Sequence, residues 1–475
     1  MNTHFEKYII AKIFAIFFFI LLASCAGTTT KTDTENSPYA FPMVQATSAK
    51  ILLSNPNDIS YACPDSLQKL CGAYGTIQNR YITRIPDEEL TMMFINGIAK
   101  ELGEVPIKDI HPAPFVCAPH TQKLCDAYNT IQNRGSKRIP DAKLTEMFIQ
   151  GVVKEISASD PYSRYIPLGG VDPHFSRYSG VGLATDKNEN FPSDLIVRRA
   201  IEGAPASRAG IKRGDKITRI NGISVANKTQ KESTALIRGK AGTSVKLIIK
   251  QGCSEKPRTI SLRREDIRDT TSGKIKLIDG RYAYVQVSDF MGNPAERVRS
   301  SLAQATAGHS DISGLIIDLR DNPGGSVMQS VKFVSLFVEK GDALYEKNQD
   351  GKYIAWQIPQ GSKDIIPGKH IVVLINGDSA SASELFSGAM KDFGRATIVG
   401  TTTYGKGVMQ TTLFLKDKSQ LILTIAYTFT PNKTAIHKVG ISPDVYVKEG
   451  TNESCTGDEQ LAAAIKILQE GGLKK

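Results

Sequence analysis

The spacing of hydrophobic residues changes along this chain and predicts helices first, then strands mixed with helices. Leu90, Phe94 and Ile98 recur every four residues, as on one face of an amphipathic helix. Residues 282–290 instead alternate between apolar and polar positions with period two, which is typical of a half-buried strand. The amino-terminal part is therefore predicted to be helical and the carboxyl-terminal part to contain a sheet.

Strands and helices alternate in the carboxyl-terminal part. A helical pattern at 293–307 precedes an unbroken apolar strand at 314–319, and an apolar run at 371–375 leads into a helical pattern at 381–393. Unbroken apolar runs are typical of strands buried on both faces. Because parallel strands need a crossover helix, this order predicts a sheet with parallel strands flanked by helices, an α/β arrangement within a chain that is α+β overall.

An internal repeat occupies the helical part. Residues 63–102 match residues 117–156 at an offset of 54, including a TIQNR run and an IPD triplet before each helix. In the second copy, Leu144, Phe148 and Val152 repeat the apolar helix face of the first. Two copies are too few for a solenoid, so we predict a duplicated helical module.

Each copy of the repeat keeps two cysteines eight residues apart, which predicts the local disulfides Cys63–Cys71 and Cys117–Cys125. Cys253 and Cys455 remain as a third candidate pair, and other connectivities stay open. An even cysteine number is typical of exported proteins.

The amino terminus resembles an export signal. Lys7 and Lys12 precede the apolar run 13–22, and the run is followed by Leu-Ala-Ser-Cys ending at Cys25. A charged start, a short apolar core and small residues before a cysteine resemble a bacterial lipoprotein signal, in which Cys25 would be lipidated. An ordinary signal peptide cleaved nearby is the alternative. The sequence therefore predicts a lipid-anchored protein on the periplasmic side of a bacterial envelope.

Composition excludes some function classes. The chain has 475 residues, of which 41% are hydrophobic and 23% charged, and a formal net charge of +11. The basic residues are scattered and form no block, so we predict no nucleic-acid binding. No cysteine–histidine cluster has zinc-ligand spacing and no glycine loop has a phosphate-binding pattern, so no metal or cofactor is predicted.

Candidate chemistry lies in residues 371–410. Ser381 is predicted at a strand-to-helix turn, where unpaired backbone N–H groups favour developing negative charge. Lys406, Val408 and Gln410 are predicted to share one face of the strand that follows, because side chains alternate with period two. Serine, lysine and glutamine on adjoining elements can supply a nucleophile, its base and a group that orients the base. A histidine base is not expected, and His437 is interpreted as a loop residue.

These residues resemble the carboxyl-terminal processing (tail-specific) peptidases. The run GDSASASE, Lys-Gly 25 residues after the central serine, and Gln four residues further on match the motifs of that family. The resemblance implies that Ser381 is the nucleophile, Lys406 the general base and Gln410 its support. It also implies a crotonase/ClpP-like core, and Asp378 departs slightly from the small residue common at that position.

The resemblance extends upstream. Residues 318–325, DLRDNPGG, match a family signature in which Gly324 and Gly325, with the N–H of Ala382, would form the oxyanion hole. Residues 178–186 resemble the carboxylate-binding loop of a PDZ domain, in which consecutive N–H groups would hold a peptide's C-terminus. The loop residues of this kind are Gly180, Val181, Gly182 and Leu183. Within the IRGKAGT run, Arg238 is a candidate regulatory residue.

These patterns divide the chain into six parts. They are a lipoprotein signal peptide (1–24), a polar tether (25–58), the duplicated helical cysteine module (59–175), a PDZ domain (176–267), a Ser-Lys peptidase domain (268–450) and a C-terminal helix (451–475). That last helix resembles C-terminal helices that join neighbouring subunits in some members of the family.

The predicted function is an exported serine endopeptidase acting on proteins with accessible C-termini. Its other predicted partners are the membrane, through the lipid, and a second subunit or an adaptor protein. The alternative is an inert exported PDZ scaffold that binds protein tails.

Overall fold

A computed structural model of the protein describes nine segments of the chain. They are residues 63–103, 110–133, 138–170, 179–187, 193–251, 256–267, 272–307, 312–449 and 458–471. All of them belong to one compact unit, Val44–Lys475. The predicted signal peptide, the tether and the candidate pair Cys253–Cys455 lie outside the described residues. Within the described segments, no helix combines the length and the apolar character needed to cross a bilayer.

The first module is helical, as predicted. After a single 3-10 turn, its described residues form α1 Gln68–Arg80, α2 Asp87–Leu102, α3 Pro119–Gln132 and α4 Asp141–Ser157. The predicted apolar faces of α2 and α4 are fully buried, from Leu90 in the first copy to Val152 in the second. The structure contains both predicted local disulfides, Cys63–Cys71 and Cys117–Cys125.

The two copies of the repeat pack against each other with local two-fold symmetry. Helices α2 and α4 cross at equivalent glycines, Gly97 and Gly151, where a Cβ on either would lie 2.3 to 2.4 Å from the other's backbone. Around this crossing the ion pairs are reciprocal: Lys100 binds Glu155, and its counterpart Lys154 binds Glu101. The two copies of the repeat therefore form a pair of helical hairpins that contact each other through equivalent residues.

The PDZ domain is built on a small antiparallel sheet. Its elements are β2 Ser179–Gly180, β3 Leu183–Asp186, β4 Leu195–Ala200, α5 Pro205–Arg208, β5 Lys216–Ile220, β6 Ile223–Ser224, α6 Gln230–Ile237, β7 Ser244–Lys250, β8 Pro257–Arg263 and β9 Glu265–Asp266; β1 Arg164–Ile166 precedes them. The strand order is β3-β4-β5-β7-β8, with β6 paired to β5, so β3 is an edge strand among the described residues. An edge strand beside the predicted carboxylate-binding loop is able to accept a peptide tail as an added strand.

The last domain is organised around two sheets. Its elements are β10 Ile275–Ile278, β11 Tyr282–Gln286, α7 Pro294–Thr306, β12 Gly314–Asp318, α8 Val327–Val334, β13 Asp342–Asn348, β14 Tyr353–Gln357, β15 His370–Ile375, α9 Ala382–Asp392, β16 Thr397–Gly400, β17 Val408–Phe414, β18 Gln420–Phe429, β19 Val445–Tyr446 and α10 Glu459–Gln469. One sheet has the order β10-β11-β12-β15-β16-β19, parallel except for the β10–β11 pair. This is the predicted mixed sheet.

The mixed sheet is buried on both faces, which explains the unbroken apolar runs. Along β12, Leu315 and Ile317 pack into the core that contains α7, α8 and α9, whereas Ile316 packs against the C-terminal helix α10. Although α10 resembles helices that join subunits, here it covers the sheet of its own chain, with Ala464 and Leu468 in the core.

The second sheet is antiparallel and joins the modules. Its order is β1-β18-β13-β14, with β17 on β18, so β1 from the end of the helical module pairs with β18 of the last domain. The core of the helical module is completed by Leu413 of β17, Leu415 in the turn that follows, and Leu421 and Leu423 of β18. The helical module is therefore packed onto the sheet that follows Lys406.

The glycine crossing gives a stability prediction. Gly97→Ala should destabilise the protein by about 3 kcal/mol, because the new Cβ meets backbone atoms that cannot move aside. Gly72→Ala is the matched control: Gly72 lies within α1, and a Cβ there meets nothing within 4 Å. That control should be neutral or stabilising by about 0.5–1 kcal/mol. Thermal unfolding of the full chain measures both, and equal melting temperatures for the two variants would contradict the assigned crossing.

Candidate active site

Ser381 is held in a strained backbone conformation immediately before α9. Its φ is 56° and its ψ −116°, a region that residues other than glycine rarely occupy. Such a conformation costs about 1–3 kcal/mol and persists only where neighbouring contacts impose it. Here the Ala380 N–H donates to Asn322 O at 2.9 Å, and the Ser379 hydroxyl donates to Leu319 O at 2.8 Å. These bonds fix the turn to the loop after β12.

The carboxylate of Glu384 ties Ser381 to Lys406. It is fully buried, and its Oε2 accepts the N–H of Ser381 at 2.7 Å and that of Lys406 at 2.8 Å. Its Oε1 accepts the N–H of Gly405 and the hydroxyl of Thr403, both at 2.6 Å. Burial raises the pKa of Glu384, and these four hydrogen bonds act against that rise. One side chain thus brings together the two predicted catalytic residues, which are 25 positions apart in the sequence.

Glu384 lies within the GDSASASE motif but had no predicted role. A signal was present, since a serine followed three residues later by glutamate at a helix start is a capping pattern. In the structure only part of the glutamate's bonding is ordinary capping, the bond from the Ser381 N–H. Its other hydrogen bonds are accepted from residues 403–406. No local sequence pattern predicts these contacts.

Lys406 is largely removed from solvent. Its Nζ lies 4.7 Å from the centre of the Tyr162 ring, in the segment that follows α4. Burial lowers the pKa of Lys406 and the charge of Arg164 lowers it further, while Asp160 and Glu384 act in the opposite direction. Burial is also the main reason that the pKa of Tyr162 is raised to about 12, so that phenol stays neutral. A lysine with a lowered pKa can be the neutral base that a serine nucleophile requires.

The prediction that Lys406 belongs to the same strand as Val408 and Gln410 is wrong. Strand β17 begins at Val408, so Lys406 lies in the irregular segment before it. The register between β17 and β18 then shifts, because Met409 pairs with Ala426 and Gln410 with Thr424, which leaves Ile425 of β18 as the extra residue. A bulge inserts one residue and has no clear signature in the alternation of apolar and polar positions.

Gln410 contacts a different partner from the one predicted. Its Nε2 donates to the Thr424 hydroxyl at 3.1 Å, and that hydroxyl donates to Asp160 Oδ1 at 3.1 Å. The described contacts therefore link Gln410 to Lys406 through Asp160, whose charge acts on the lysine. Its predicted role in orienting the base remains a prediction.

The loop after β12 packs directly on Ser381. A Cβ on Gly324 would lie 2.7 Å from the Ser381 Cβ and 2.9 Å from the Ala382 nitrogen, so only glycine fits there. The N–H of Gly324 itself donates to Asn322 Oδ1 at 2.8 Å. This corrects one part of the predicted oxyanion hole, because an N–H already bound to a side chain is not a free donor. Among the described residues we find no partner for the N–H of Gly325 or Ala382, and the prediction that these two are oxyanion donors stays a prediction.

A cluster of buried ion pairs stabilises the start of the loop after β12. Arg320 is 5% exposed, and it lies between Asp318, at 2.6 Å, and Asp458 at the start of α10, at 2.7 Å. The Tyr284 hydroxyl donates to Asp318 at 2.8 Å. Asp318 and Arg320 stood in the DLRDNPGG motif without a predicted role, and Asp458 was not singled out. Removing one member of such a buried pair is strongly destabilising, so the cluster anchors the strand end that leads into the predicted oxyanion loop.

The predicted tail-binding loop forms the turn between β2 and β3. Gly182 has a φ of 76°, and a Cβ there would lie 2.3 Å from the Ala204 Cβ. The Val181 carbonyl accepts the Ala206 N–H at 3.0 Å, which fixes the loop to α5. Helix α6 lies beside the edge strand β3, and the Gln230 amide donates to the strand's carbonyl at residue 185, at 2.6 Å. Arg238 follows the end of α6, and its predicted regulatory role remains untested.

Comparison with known proteins agrees with these domains. The sequence matches Peptidase family S41 over residues 281–447 and the PDZ domain over residues 196–251. It is 33% identical over 334 residues to the "Probable CtpA-like serine protease" of Staphylococcus aureus strain N315, covering 68% of this chain and 64% of that protein. The protein of the same name from Staphylococcus haemolyticus is 34% identical over 331 residues, with 69% and 64% covered. This chain therefore spans less than two thirds of the length of these relatives.

A solved structure shares the fold. The photosystem II D1 C-terminal processing protease is similar with a TM-score of 0.52 and 23% identity, over 86% of this chain and 98% of that one. The two matched domains, the relatives and this fold point to one family. The chain belongs to the C-terminal processing peptidases, the PDZ-containing members of peptidase family S41.

Proposed function

We propose that this protein is an exported serine endopeptidase that captures substrates by their C-termini and cleaves them through an acyl-enzyme. The observation that carries the proposal is the Glu384 carboxylate, which binds the backbones of Ser381 and Lys406 together. A largely buried lysine whose backbone shares a carboxylate with that of a strained serine at a helix start fits the arrangement that nucleophilic catalysis without histidine requires.

The reaction follows from these groups. Neutral Lys406 accepts the hydroxyl proton of Ser381 as its Oγ attacks the peptide carbonyl. The N–H groups of Ala382 and Gly325 stabilise the oxyanion at the start of α9. The lysine ammonium then gives its proton to the departing amine, which leaves an ester on Ser381. Water, deprotonated by Lys406, hydrolyses that ester and restores the serine.

Substrate capture is assigned to the PDZ domain. An extended tail would add a strand to the edge of β3, and the N–H groups of residues 180–183 would hold its carboxylate. Export is supported by the signal-like amino terminus and by the two disulfides, which are typical of oxidising compartments. Attachment to a membrane through Cys25 is part of the same proposal.

The catalytic pair is tested by removing each functional group. Ser381→Ala and Lys406→Met should each lower kcat/KM by about 10³-fold or more while the fold is retained, because nucleophile and base act as one unit. Ser387→Ala is the matched control. Ser387 is a buried serine on the same helix, α9, and its hydroxyl donates to Ser383 O at 2.8 Å, so activity should persist.

Two outcomes would contradict this mechanism in different ways. If either variant of the pair cleaved an unfolded protein at the wild-type rate, the assignment of nucleophile and base would be wrong. Binding of protein tails without cleavage by the wild type would instead indicate a scaffold.

The pH dependence of activity gives a second test, because two neighbours of Lys406 shift its pKa in opposite directions. The base works only when neutral, so activity rises as the pH passes the pKa of Lys406. Burial lowers that pKa, Arg164 lowers it further and Asp160 raises it. Arg164→Gln should therefore move the acid limb of kcat/KM to higher pH, and Asp160→Asn should move it to lower pH. Profiles that shift in the same direction, or not at all, would show that another group titrates.

Tail recognition is tested with one substrate carrying a free or an amidated C-terminus. A free carboxylate makes charge-assisted hydrogen bonds that an amide does not, so the free form should be cleaved faster at limiting concentration. Gly182→Asp should remove this preference, because its Cβ collides with Ala204. Gly222→Asp is the control, since Gly222 has a similar φ of 81° but open space around it. Equal rates for both substrates with every enzyme would refute tail recognition.

A further inference from the structure

A cluster of charges joins the PDZ domain to the loop that carries the oxyanion donors. We call it the interdomain cluster, and it consists of Arg198, Arg213, Asp321, Asn376 and Glu449. Arg213, on the turn before β5, binds Asp321 at 2.8 Å and Glu449 at 2.6 Å. Arg198, on β4, also binds Glu449. Two PDZ arginines thus meet two carboxylates of the peptidase domain.

The cluster includes residues of two loops next to Ser381, the loop after β12 and the turn after β15. Asp321 has a φ of 59°, and its N–H donates to Asn376 Oδ1 at 3.0 Å. The Asn376 amide donates back to Asp321 Oδ1 at 2.9 Å and to Glu449 Oε1 at 2.6 Å. Asn376 belongs to the turn after β15 that leads to Ser381, and Asp321 precedes Asn322, which binds the N–H of residue 324. A short series of ion pairs and hydrogen bonds therefore connects Arg213 of the PDZ domain to the oxyanion loop.

The charge balance makes the arginines necessary for this geometry. The Asp321 side chain is 6% exposed and that of Glu449 16% exposed, and both contact the single amide of Asn376. Asp378 is a third acid nearby: burial raises its pKa, and the charge of Asp321 raises it further. Without the PDZ arginines, the largely buried carboxylates of Asp321 and Glu449 would repel one another and lack compensation. The loop would then have to rearrange.

We propose that Arg213 is a positioning residue for the oxyanion loop, so that the PDZ domain, docked as it is here, completes the catalytic geometry of the peptidase domain. This inference rests on the proposed function. The arginine touches no reacting atom; it holds Asp321, and through the Asn322 segment it sets the place of the Gly325 N–H. Docking of the PDZ domain thereby acts on the rate of the chemical step, separately from tail capture.

The kinetic test compares Arg213→Met, Arg213→Lys and Lys276→Met. Lys276 is the matched control, because it also pairs across the two domains, with Glu202, but both side chains are more than half exposed. The substrate is a short peptide with an amidated C-terminus, which does not depend on the carboxylate loop. Arg213→Met should lower kcat about tenfold or more with little change in KM, since a misplaced oxyanion donor affects the transition state. Arg213→Lys should restore part of the rate, and Lys276→Met should match the wild type.

A second readout does not depend on proteolysis. Hydrogen–deuterium exchange of the amides in residues 320–326 should be faster in Arg213→Met than in the wild type and Lys276→Met. Unchanged exchange, or an equal loss of kcat in Lys276→Met, would overturn the inference. If exchange were faster in Arg213→Met than in the wild type but the wild type cleaved no substrate, the proposed function would fail. The role of Arg213 in holding the loop would still stand.

Discussion

The geometry of the site depends on one buried carboxylate. Among the described residues, Glu384 is the only side chain that binds the backbone of both Ser381 and Lys406, and it does so from the first turn of α9. Burying a carboxylate is costly unless its oxygens are satisfied. Here four donors satisfy it, one from the turn before α9 and three from residues 403–406. The cost of burial therefore acts as a constraint: the two segments must converge as they do, or the charge is left without partners.

The elements of the site come from both sheets. The carboxyl ends of the parallel strands β12 and β15 place the oxyanion loop beside the turn that carries Ser381. Lys406 arrives from the other sheet, just before its strand β17. The proposed catalytic pair therefore comes from two different sheets, and the Glu384 contacts join its two members.

Sequence patterns predicted the elements well and the contacts between them poorly. Unbroken apolar runs identified β12 and β15, and the repeat identified the helical module and both disulfides, because each of these leaves a local or periodic signal. The bulge in β18 opposite Gln410, the occupied N–H of Gly324 and the role of Asp458 were not predicted. Each of them depends on side-chain geometry, on a partner far away in the chain, or on one inserted residue, and none of these changes the pattern of apolar positions.

The helical module supplies no proposed catalytic group, yet its chain determines the surroundings of the base. Helix α4 leads directly into the segment that contains Asp160, Tyr162 and Arg164, and these side chains act on Lys406 by charge and by covering it. Strand β1 then fixes the segment to β18, where Arg164 pairs with Ile422. Because burial is the largest influence on the pKa of Lys406, the packing of the module on β17 and β18 is also a condition for a neutral base. The contacts that complete the core of the duplicated module therefore also contribute to the burial of the proposed base.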